Sequence, residues 1–119
     1  MSVPKDDRSA IRRMIRALKK VGAKVVELGP TDWGEPEPLD KLTEKAVLDA
    51  IMDYDDICVL FERKGPAWTP EKGYSNNHIT LRFVMGNEPD EVVCDWAPYS
   101  EDENSLSKVV DKEAESWWS

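Results

Sequence analysis

Ile79-Thr80-Leu81-Arg82-Phe83-Val84-Met85-Gly86-Asn87-Glu88-Pro89-Asp90-Glu91-Val92-Val93-Cys94-Asp95-Trp96 is the stretch that decides the fold. Ile79, Leu81, Phe83 and Met85 alternate with Thr80, Arg82 and Val84, the period of a strand with one face in a core. Gly86 to Asp90 supply turn chemistry, and Val92 to Trp96 return as a second β-rich run, so the segment predicts an antiparallel hairpin. Just upstream, Ile57-Cys58-Val59-Leu60-Phe61 is apolar at every position and reads as a central strand.

Around these strands the periodicity changes to 3.6. Ile11, Met14, Ile15, Leu18 and Val21 mark a first helix, with Asp6 or Asp7 as its cap and Gly22 as its stop. Ala23 to Leu28 form a short strand halted by Gly29-Pro30. Leu39, Leu42, Ala46, Val47, Ala50, Ile51 and Tyr54 make a second helical stripe, and Leu106, Val109, Val110, Ala114 and Trp117 a third. The order α-β-α-β-β-β-α predicts one α+β domain over residues 1–119, with the helices on one face of a mainly antiparallel sheet. A crossover through the second helix would set strand 23–28 parallel to strand 57–62, with the last three strands as an up-down-up meander.

The chain has 119 residues, of which 40% are hydrophobic and 34% charged, a composition that supports one core without metal or disulfide staples. Its longest apolar run is five residues, far below the ~20 needed to span a bilayer, and no signal-like apolar segment opens it, which implies a soluble, cytoplasmic protein with no membrane partner. Cys58 and Cys94, lacking metal or redox spacing, read as reduced, buried thiols. The net charge is -8. Its distribution is uneven: the first 25 residues are basic and the remainder strongly acidic, which favours electrostatic steering of a partner.

Phe83-Val84-Met85-Gly86-Asn87-Glu88-Pro89-Asp90-Glu91-Val92-Val93-Cys94-Asp95 resembles a hairpin of small uncharacterised proteins of phages and mobile elements, in which a Gly-Asn turn and an Asp precede a C-terminal helix. The resemblance implies a phage-type accessory protein and transfers no catalytic residue.

No phosphate loop, zinc motif, Cys-x-x-Cys or nucleophile elbow is present, so neither cofactor nor metal is expected. The connections 29–38 and 63–77 are rich in Pro and Gly and carry Trp33, Trp68 and Tyr74. The meander would gather these with His78, Trp96 and Tyr99 at one sheet edge, and Asp53, Asp55, Asp56, Glu88, Asp90 and Glu91 at the other. Trp96 and Trp117 read as core, and Trp118 as a frayed flank. The leading expectation is therefore a non-enzymatic protein that binds a host protein through Trp33, Trp68, Tyr74, His78 and Tyr99. A second is nucleic-acid binding, through phosphate contacts of Arg8, Arg12, Arg13, Arg16, Lys19 and Lys20. A third is a small hydrolase or transferase centred on His78 with Asp95.

Overall fold

A computed structural model of the chain describes residues 3–30, 37–38, 43–65, 76–86 and 88–118. The first helix, α1 (Asp7–Lys20), begins where the Asp6 carboxylate accepts the Ser9 amide at 2.7 Å, satisfying one of the amides every helix leaves orphaned. It buries Ala10, Ile11, Met14, Ile15 and Leu18. The chain turns at Gly22 with φ +89°, a backbone state open to glycine, and enters β1 (Lys24–Pro30).

Two residues then form β2 (Glu37–Pro38), paired antiparallel with Glu27 and Leu28 of β1. α2 (Glu44–Met52) follows, capped by Thr43, whose hydroxyl accepts the Ala46 amide at 3.1 Å. The strands β3 (Asp56–Glu62), β4 (His78–Val84) and β5 (Val93–Ala97) come next, with a 3-10 turn (Pro89–Glu91) before β5. α3 (Leu106–Trp118) completes the order. The sheet runs β2-β1-β3-β4-β5 with every neighbouring pair antiparallel. The α+β class, the meander of the last three strands and the central place of β3 agree with the sequence reading.

The orientation of β1 does not. Lys24 lies opposite Glu62 and Pro30 opposite Ile57, so β1 is antiparallel to β3. The reason is parity. A chain leaving β1 and crossing once through a helix would re-enter parallel, but β2 first folds back along β1, and this extra traverse reverses the direction of everything after it.

Strand alternation fixes which face is covered. Val25, Leu28, Ile57, Val59, Phe61, Ile79, Leu81, Phe83 and Val93 are buried and form one cluster with the apolar faces of α1, α2 and α3. Each such side chain contributes about 1.5–3 kcal/mol on burial. α1 packs against both α2 and α3. Trp117 is fully buried, and its indole N–H donates to Glu113 at 2.9 Å, so its one polar atom is satisfied inside the core.

Among the described residues no helix covers the opposite sheet face, which corrects the reading of the cysteines as buried. With 57, 59 and 61 turned inward, Cys58 faces outward and is half-buried. Cys94 is exposed, because a bulge sets both it and Asp95 against Arg82.

Candidate functional site

The arginines of α1 are engaged within the fold. Arg8 binds Asp49 at 2.8 Å, and Arg16 binds Glu44 through two nitrogens at 2.9 and 3.0 Å, with Arg12 3.5 Å from the same carboxylate. Spacing of four puts all three on the side of α1 that faces α2. Arg13 turns toward α3, 3.6 Å from Glu113 and 5.7 Å from the Trp117 ring centroid. Hydrogen bonding by Arg16 holds the Glu44 carboxyl below its ordinary value, and Arg8 and then Lys45 do the same for Asp49. Four of the six cations proposed for phosphate contact thus tie α1 to its neighbours, while Lys19 and Lys20 remain exposed. The sequence could not name these partners, because they lie on other helices.

His78 opens β4 and lies opposite Glu62. Its Nδ1 is enclosed and has no hydrogen-bond partner among the described residues. Asp95 lies opposite Arg82, four residues further along β4, a separation of about 13 Å. No His–Asp couple forms. Cys58 and Cys94 flank Arg82 from β3 and β5, with β4 between them. Two strand spacings put their backbones roughly 10 Å apart, beyond the reach of a disulfide. Burial raises both thiols above the ordinary cysteine value, with Asp56 adding to the effect, so neither is poised as a thiolate. Arg82 itself is held by Asp56 through contacts of 2.9 and 2.5 Å. Among the described residues no three His, Cys, Asp or Glu side chains gather as a metal set, and no helix is long and apolar enough to cross a membrane.

At the end of the sheet where β3 leaves and β4 begins, the base of the 63–77 connection is fastened. The Arg63 amide donates to the Asn77 carbonyl at 2.9 Å and its Nε to Asn77 Oδ1 at 2.8 Å. The Arg63 guanidinium also donates to the carbonyls of Asn76, at 3.2 Å, and Asn104. Asn76 Nδ2 donates to Asp102 at 2.8 Å, while its Oδ1 accepts from Ser100 and its carbonyl accepts the Leu106 amide. Behind this lie three buried serines. Ser107 Oγ accepts the Ser100 amide at 2.9 Å and donates to the Ser100 carbonyl, and Ser105 Oγ accepts the Lys108 amide, capping α3. Buried hydroxyls without such partners would each cost about 1–3 kcal/mol. Gly65, at φ +143°, packs where any side chain would meet the Asn77 amide.

His78 and Tyr99 border this base. Tyr99 is 54% exposed and carries the Lys108 ammonium 5.2 Å from its ring centroid. Trp33, Trp68 and Tyr74 lie outside the described residues. The direction of β1 does separate the described points from which the two connections leave the sheet. Pro30, from which the chain leads toward Trp33, is opposite Ile57, whereas the connection holding Trp68 and Tyr74 leaves from the other end of β3. Trp96 is partly buried against the core, with its indole N–H on Asp111 at 3.1 Å.

The acidic residues do share an end. Asp56 pairs with Val84, the Asp55 carbonyl accepts the Met85 amide at 2.8 Å, and the turn with Glu88, Asp90 and Glu91 leads directly into β5. Asp7 joins them by accepting the Gly86 amide at 3.1 Å. Sequence reasoning set Asn76 and Asn77 beside His78 but missed their convergence with Arg63 and Asp102, since separate polar loop residues give no sign that they meet. Comparison with protein-family models, with curated proteins and with solved structures gives no match for this chain.

Proposed function

We propose that the protein is a non-enzymatic binding protein, a phage-type accessory that engages a host protein at the end of the sheet bearing the 63–77 connection, His78 and Tyr99. The observation that carries this reading is the fastening of that connection at both of its ends by Arg63, Asn76 and Asn77. A fixed base lowers the ordering cost that a partner must overcome, which is how long connections on rigid frames become binding surfaces. Tyr99 supplies an exposed aromatic ring beside that base. The separation of His78 from Asp95, and the raised thiols, give no support to catalysis.

The test is quantitative capture from the organism that carries the gene, using the full chain, Trp68→Ala, Tyr99→Ala and their combination, each first verified as folded by circular dichroism. A specific partner should fall at least tenfold with the double variant, in keeping with aromatic hot spots. Recovery of the same partner at undiminished yield would refute this surface.

A further inference from the structure

β5 is the last strand of the sheet, and α3 ends beside it. Between them runs a groove of about 420 Å³ lined by Asp90, Glu91, Val93, Cys94 and Trp118. Trp118 is 56% exposed, yet its indole N–H donates to the Asp90 carbonyl at 2.8 Å, so the ring is fixed at the groove wall. Three sources of negative potential meet there. Two are the carboxylates of Asp90 and Glu91, and the third is the carbonyl end of α3, whose last turn has no basic residue. No Lys or Arg lines the groove among the described residues. An indole face bordered by carboxylates attracts a cation through both the ring quadrupole and the charges.

The strand edge adds backbone groups. The Val84 amide donates to the Val92 carbonyl at 2.8 Å. By antiparallel alternation the next pair, Phe83 and Val93, is not hydrogen-bonded, and the amide and carbonyl of Val93 turn toward the edge that no other described strand pairs with. Further along, the bulge at Cys94 and Asp95 breaks the ladder, and the Asp95 carboxylate takes the Trp96 amide at 2.9 Å. The edge therefore offers one short docking point and is blunted against pairing along its length.

We infer that this groove binds an extended basic segment of a partner protein, with one Lys or Arg side chain lying on the Trp118 ring between Asp90 and Glu91. A second copy of the chain is a poor occupant, because pairing β5 with β5 would set acidic residues against each other. The inference stands apart from the reading of the 63–77 end, which concerns the opposite end of the sheet.

The experiment titrates the full-length, isotope-labelled protein with an eight-residue peptide alternating Thr and Arg, and with a matched peptide carrying Glu for Arg. The Arg peptide should shift the Trp118 indole and Val93 amide resonances, with an affinity that falls as salt is added. The Glu peptide should shift neither. Trp118→Leu should weaken binding at least tenfold, Trp118→Phe should restore part of it, and Asp90→Asn with Glu91→Gln should reduce the salt dependence. Equal affinity for Trp118→Leu, shifts confined to other parts of the molecule, or concentration-dependent shifts at these resonances without peptide would each overturn the inference, the last by making a second copy the occupant.

Discussion

The two ends of the sheet treat their polar residues in opposite ways. At the 63–77 end, Arg63, Asn76, Asn77 and Asp102 bond to one another and to backbone, and the serines beneath them are buried and satisfied. At the acid end, Asp53, Asp55, Glu88, Asp90 and Glu91 join no ion pair among the described residues, and only Asp56 does, with Arg82. Polar groups that satisfy one another inside a protein fix its geometry, whereas those left in water act at a distance through their field. The first end thus holds a connection in place, and the second presents charge.

This contrast can be broken by substitution. The largest effect belongs to neighbouring tryptophans near the acid end. Trp117→Ala should cost about 3–5 kcal/mol, because it empties a fully buried site, while Trp118→Ala should stay within about 0.5 kcal/mol. Urea unfolding of the two variants checks this, and similar losses would mean that Trp118 is part of the core.

Next come the glycines. Gly86→Ala meets open space and suffers only from its positive φ, about 1 kcal/mol. Gly65→Ala must also drive the Asn77 amide from Arg63, and should lose about 2–3 kcal/mol. Asn76→Ala leaves Asp102 and Ser100 short of a partner at about 1–2 kcal/mol, against about 0.5 kcal/mol or less for Glu88→Ala. Thermal melts of the four variants rank the two ends directly.

The smallest effect sharpens the comparison by pH. The folded value of Glu44 is depressed, so its contribution is fully present above the ordinary glutamate value of about 4.3 and is lost as pH falls through the lower folded value. Arg16→Met should flatten that part of the acid-stability profile, read from acid unfolding followed by circular dichroism.

Much of the frame was legible in the residues. Alternation in β4 and the helical stripes of α1 and α3 are local signals, and the core follows them. The direction of β1 was not, because it turns on two residues, Glu37 and Pro38, in a segment whose prolines and glycines read as a plain loop. The basic face of α1 was legible as composition but not as function. Its carboxylate partners stand 28 to 41 residues away on α2, and further still on α3. Residues such as Arg63 and Asn104, 41 apart, meet only once the fold is formed.

Amide hydrogen exchange tests the claim that one end is fastened and the other is not. The amides of Arg63 and Leu106, bonded to Asn77 and Asn76, should exchange only at the slow limit set by global unfolding, while the Gly86 amide, held by the exposed carboxylate of Asp7, should exchange far faster. Exchange of Arg63 and Leu106 as fast as Gly86 would contradict the account.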